Sequence, residues 1–101
     1  MIIHIVHPAG ESPENFLLFL EELRVNEPLW NVRNMGSLRT RPGSIHADIN
    51  SADKRERGTL ELTYDPKLNG AVELKVASNR ASEWCKQALE RVKGWLEEDL
   101  S

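Results

Sequence analysis

The sequence predicts an α+β domain: a strand, a helix, an antiparallel meander of three to four strands and a long C-terminal helix. Both helices are expected on one face of the sheet. Three observations carry this prediction. Ile2 to His7 is a short β-branched run, three later segments alternate apolar and polar residues, and two stretches repeat apolar residues at helical spacing.

Ile2 to His7 is apolar on both faces, as suits a central strand, and Pro8, Ala9 and Gly10 end it. Ser12-Pro13-Glu14 is a helix start: a capping hydroxyl, a proline suited to the first turn, and an acid at the positive end of the dipole. The helix should run to about Arg24. Phe16, Leu17, Phe19, Leu20 and Leu23 share one arc of it, and Leu18 and Val25 lie outside that arc. Asn26 to Pro28 should end it.

Leu29 to Pro42 reads as one irregular strand or a loose hairpin. Trp30, Val32, Met35 and Leu38 are spread between Asn34, Gly36 and Ser37. The meander that follows is cleaner. Ile45, Ala47 and Ile49 alternate with His46, Asp48 and Asn50. Leu60, Leu62 and Tyr64 alternate with Thr59, Glu61, Thr63 and Asp65. Val72, Leu74 and Val76 alternate with Glu73 and Lys75. Such period-two segments give a sheet one dry face and one wet face. Ser51 to Gly58 is a charged loop, and Asn69-Gly70 turns the second of these strands into the third.

Ser78 or Asn79 should cap the last helix. Its apolar stripe runs through Ala81, Trp84, Cys85, Ala88, Leu89, Val92, Trp95 and Leu96, with Gly94 easing close packing or ending the helix early. Glu97, Glu98 and Asp99 oppose the negative end of the dipole, so residues 97–101 are expected to fray into an acidic tail.

The whole of residues 1–101 fits one domain. Apolar content of 40% and charged content of 29% are those of a globular chain. One cysteine permits no internal disulfide and leans towards a cytoplasmic location. The apolar runs are too short for a signal-peptide core or a membrane span, so no membrane association is expected. A net charge of −3 argues against a general nucleic-acid binder. The charge is uneven: from Arg24 to Arg57 there are seven basic residues against four acids.

The element order resembles that of TATA-binding-protein-like and helix-grip folds. Without the first strand it resembles the double-stranded-RNA-binding domain. The basic cluster such RNA-binding domains carry at the start of the last helix is missing, since Ser78-Asn79-Arg80-Ala81-Ser82-Glu83 stands there. The resemblance is one of topology, which does not fix function.

No catalytic, metal or cofactor motif stands out. His4 and His7, three apart on a strand, face opposite ways. His46 and Asp48 share the wet face, but they offer two ligands where zinc wants three or four. Cys85 lies on an apolar stripe and reads as an inert hydrophobe. Glu21-Glu22, and Glu61 with Glu73 or Asp65, read as solvated carboxylates. No cofactor, no metal and no catalytic residue is therefore expected.

Two features point to binding. Arg33, Arg39 and Arg41 form a central segment with Arg55 and Arg57 in a nearby loop. Arginine forks suit carboxylate and phosphate, and Trp30 could stack a base. Leu18 and Val25, with Trp84 and Trp95 along one edge of the last helix, offer apolar surface for a second copy or a partner. The expectation is a small non-catalytic protein-interaction module, homodimeric, whose arginine segment meets an acidic partner. The alternative is nucleic-acid or polyanion binding through the same segment. An enzyme without a recognisable motif is the third reading.

Overall fold

The structure is a computed structural model and describes residues 1–76 and 82–98. Five strands and two helices follow one another as β1 (Ile2–Gly10), α1 (Pro13–Asn26), β2 (Trp30–Leu38), β3 (Arg41–Ser51), β4 (Leu60–Tyr64), β5 (Gly70–Lys75) and α2 (Glu83–Glu98), with a 3-10 turn at Pro66–Leu68. The α+β class and the element order agree with the sequence prediction.

The strands make one antiparallel sheet in the order β1-β5-β4-β3-β2. The meander thus has four strands, and β1 joins it as a fifth. β1 is an edge strand, not the central one expected. Its even-numbered side chains are exposed, because only one side of it is covered. Helix α1 carries the chain from one edge of the sheet to the other.

Local chemistry sets the ends of α1. The Ser12 hydroxyl accepts the Asn15 N–H at 3.1 Å, and Pro13 stands in the first turn. At the other end the Glu27 N–H reaches Leu23 O at 2.8 Å. The segment read as an irregular strand or hairpin is both. β2 hairpins onto β3 through Arg39 and Thr40, and its register slips on either side of Gly36, whose φ of 81° suits glycine.

One face of the sheet is dry. Ile5, Val32, Ala47, Ile49, Leu60, Leu62, Tyr64, Val72 and Leu74 point there. They meet Phe16, Phe19, Leu20 and Leu23 of α1, and Cys85, Ala88, Leu89, Val92 and Leu96 of α2, in one buried cluster. Each fully buried large side chain stabilises the fold by about 1.5–3 kcal/mol.

Ser82 starts α2: its hydroxyl accepts the Cys85 N–H at 3.1 Å and donates to Arg57 O. The cap expected at Ser78 or Asn79 lies outside the described residues. The helix continues through Gly94 to Glu98, and a Cβ at Gly94 would meet nothing within 4 Å. Gly94 therefore neither ends the helix nor eases a close approach. Glu97 and Glu98 are helical, and the rest of the expected tail is outside the described residues.

Candidate functional site

The helices leave the other face of the sheet uncovered, and its polar side chains are organised in rows by the strand register. One row runs His4, Glu73, Thr63, His46 across four strands. The next runs Lys75, Glu61, Asp48, Arg33. Period two puts each strand's alternate residues on this side, and the antiparallel pairing sets which of them adjoin.

At one end of the face Arg41 joins two carboxylates. Its Nε donates to Asp65 Oδ2 at 2.7 Å and its Nη1 to Glu73 Oε2 at 2.9 Å. His4 Nε2 stands 2.9 Å from Glu73 Oε1. Asp65 also accepts the Lys67 N–H at 3.0 Å, which fixes the 3-10 turn. That backbone bond, opposed by burial and reinforced by Arg41, holds the Asp65 carboxyl below the usual carboxylate range. Burial pushes Glu73 upwards, but the bonds from Arg41 and His4 outweigh it and the net direction is down. Arg41 is held protonated more firmly, first by Glu73.

At the centre, His46 Nδ1 is 3.0 Å from Thr63 Oγ1. Its Nε2 stands 3.0 Å from Asp48 Oδ1 and 3.4 Å from Glu61 Oε1. The His46–Asp48 pair visible in sequence thus gains a third member from the neighbouring strand.

The expected arginine site is not gathered in one place. Arg39 and Arg41 flank the β2–β3 turn, while Arg55 and Arg57 lie in the loop after β3. The eleven residues of β3 separate the two groups by roughly 30 Å. Arg41 is occupied by Asp65 and Glu73, and Arg55 pairs with Asp53. Arg33 is exposed and stands across from Asp48, and Arg39 is exposed at the turn.

Trp30 shares its side of β2 with Val32, facing the helices and turned away from Arg33. It packs against Trp84 with centroids 6.0 Å apart and against Trp95 at 6.1 Å. The Trp84–Trp95 edge of α2, expected to offer apolar surface to a second copy or a partner, therefore packs against Trp30 of β2 in the same chain. Trp84 is 8% exposed, Trp95 is half-buried, and Arg91 lies 5.5 Å over the Trp95 ring while pairing with Glu27. Leu18 and Val25 are exposed on the outer side of α1, beside Leu17.

Period two alone places Asp48, Glu61, Asp65, Glu73 and Lys75 on the wet face. Arg33 and Arg41 also serve that face, and Asp65 is 3% exposed. The missing signal was the register, which pairs Asp48 with Glu61 and His46 with Thr63. Among the described residues no helix is long and apolar enough to cross a membrane. Compared with models of known families, with curated proteins and with solved structures, the chain matches none.

Proposed function

We propose that this chain is a non-catalytic protein-interaction module that acts as a homodimer, two copies pairing antiparallel along β1. The observation that carries the reading is the outer edge of β1, which no strand pairs with among the described residues and which has a self-complementary pattern. Met1 and Val76 exchange both backbone hydrogen bonds, at 2.8 and 3.0 Å. In an antiparallel ladder this phase turns the N–H and C=O groups of Ile3 and Ile5 towards β5. Those of Ile2, His4 and Val6 then point outwards.

The side chains of Ile2 and Val6 are 57% and 62% exposed, with His4 between them. A two-fold axis at His4 sets Ile2 of each copy opposite Val6 of the other. Paired amides and apolar contacts on one face then both repeat by symmetry. An open apolar edge of this kind is a template for strand pairing. The opposite edge is blunted. Arg24 donates to Val32 O from Nε at 3.1 Å and from Nη2 at 2.9 Å, and two register breaks bend β2.

In such a dimer the uncovered faces form one continuous surface, polar on either side of a seam of Ile2 and Val6. Leu17, Leu18 and Val25 on α1, and the exposed Arg33 and Arg39, are surfaces for further, acidic partners. The separation of the arginines into two groups weighs against a polyanion site. The single cysteine suits a reducing compartment, and we read the module as cytoplasmic.

Sedimentation over a wide concentration range tests the proposal. We expect a species of twice 11.5 kDa. Val6→Lys, which puts a charge on the edge, should yield monomer. So should His4→Pro, which removes an outward N–H and spares the bonds to β5. Leu18→Asp with Val25→Glu should leave the dimer intact. A wild-type monomer at every concentration would overturn the reading, and dissociation only by the α1 changes would move the interface to that helix.

A further inference from the structure

We infer that His46, Asp48 and Glu61 form a binding site for a divalent transition-metal ion, of which Zn²⁺ is the best match. The site is independent of the proposed dimer, since none of its residues lies on β1. Four positions on two adjacent strands make a square: His46 faces Thr63, and Asp48 faces Glu61. Three corners carry ligand atoms and the fourth carries a hydroxyl.

The two distances from His46 Nε2 suit a shared ion. Two donors bound at about 2.0–2.2 Å, at angles between the octahedral and tetrahedral values, stand about 2.8–3.6 Å apart. Nε2 of His46 is 3.0 Å from Asp48 Oδ1 and 3.4 Å from Glu61 Oε1, and each of the three residues offers one ligand atom within 4.8 Å of those of the other two.

Two further observations separate this arrangement from an ordinary set of surface charges. First, Asp48 Oδ1 is sealed from solvent and accepts no hydrogen bond among the described residues, although it stands 3.0 Å from the imidazole. The histidine is close to this oxygen without aiming an N–H at it. Burying a carboxylate oxygen with no donor is unfavourable, and a cation between the two atoms would satisfy it. Second, the other ring nitrogen is engaged. In the tautomer whose Nδ1–H donates to Thr63 Oγ1, 3.0 Å away, Nε2 carries a lone pair and is the ring nitrogen that stands near both carboxylates. A hydrogen bond to the far nitrogen commonly orients a ligating histidine.

The donor set indicates the class of ion. One imidazole with two carboxylates suits Zn²⁺, Mn²⁺ or Co²⁺. Mg²⁺ and Ca²⁺ prefer oxygen ligands alone. Three protein ligands leave a coordination position on the uncovered side of the sheet, open to water or to a small anion. Arg33, across from Asp48, and Lys75, across from Glu61, flank that position and favour an anionic ligand there.

Calorimetric titration of chelator-treated protein with Zn²⁺, Mn²⁺ and Mg²⁺ tests the inference. Saturable binding of one Zn²⁺ per chain is expected, with Mn²⁺ weaker and Mg²⁺ silent. His46→Gln and the pair Asp48→Asn with Glu61→Gln should each abolish it while far-ultraviolet circular dichroism stays that of the wild type. Thr63→Val should weaken it by about tenfold, as for loss of a ligand-orienting group. His4→Gln should leave it unchanged. The inference fails if Zn²⁺ does not bind saturably. It fails equally if binding survives His46→Gln, or if His4→Gln removes it, because the ion then sits elsewhere. Should a ligand variant lose its fold, Co²⁺ absorption of the wild type decides. Bands of a nitrogen- and oxygen-ligated ion support the site, and the spectrum of the hydrated ion overturns it.

Discussion

Arg41 and Asp65, separated by 24 positions in the chain, meet at 2.7 Å where the 3-10 turn joins the open face. The Asp65 side chain is only 4% exposed, so its charge depends on this partner and on the Lys67 N–H. Arg41→Gln leaves a buried carboxylate short of its cation and also releases Glu73. We expect a loss of about 2–4 kcal/mol, read from the urea midpoint. The doubly neutral pair Arg41→Gln with Asp65→Asn should recover part of it.

The same carboxylates set an acid limit. Asp65 and Glu73 are both held below their ordinary values in the folded chain. Groups depressed in this way stabilise the fold at pH values above the unfolded pKa of about 4. That stability is lost as pH falls through the folded values. Urea midpoints should therefore hold steady down to about pH 4 and then drop. In Asp65→Asn the neutral midpoint should be lower and the acid drop shallower.

Gly10 and Gly94 should respond to alanine with opposite signs. At Gly10 a Cβ would lie 2.4 Å from Gly70 O and 2.7 Å from Ala71 C, backbone atoms that cannot swing away. Gly10→Ala should cost about 2–3 kcal/mol by forcing β1 and β5 apart. At Gly94 a Cβ meets nothing, and Gly94→Ala should add about 0.5–1 kcal/mol from helix propensity. Thermal melts of the two variants would show both.

Trp30 seals the junction of β2 with α2 by packing on Trp84 and Trp95. Trp30→Ala should cost about 2–3 kcal/mol, less than a fully buried tryptophan because Trp30 is only partly buried. Exposure of Trp84 should also shift the remaining fluorescence to the red. An unshifted spectrum with unchanged stability would contradict the packing described.

The elements were legible because each has a local cause. Ser12 and Pro13 start α1, and the alternation of Leu60, Leu62 and Tyr64 with Glu61 and Thr63 gives β4 its two faces. What pairs with what was not legible. Period two assigns Glu61 to a face, but only the register sets it beside Asp48, and only the closing of β1 on β5 sets His4 beside Glu73. Trp30 misled for a related reason. It is close to Arg33 in sequence, yet three positions along a strand turn it to the other side.

Among the described residues β1 pairs with β5 alone, the strand that follows β2, β3 and β4 in the chain. Its pairing with β5 spans nearly the whole described sheet, and the Met1–Val76 bonds bridge 75 positions. During translation at about 5–20 residues per second, β1 leaves the ribosome roughly 4–15 s before its partner. For that interval the apolar run Ile2 to Val6 lacks the strand that pairs with it in the folded sheet. The nascent chain thus passes through a stage more adhesive than the finished molecule, and the arrival of β5 ends it.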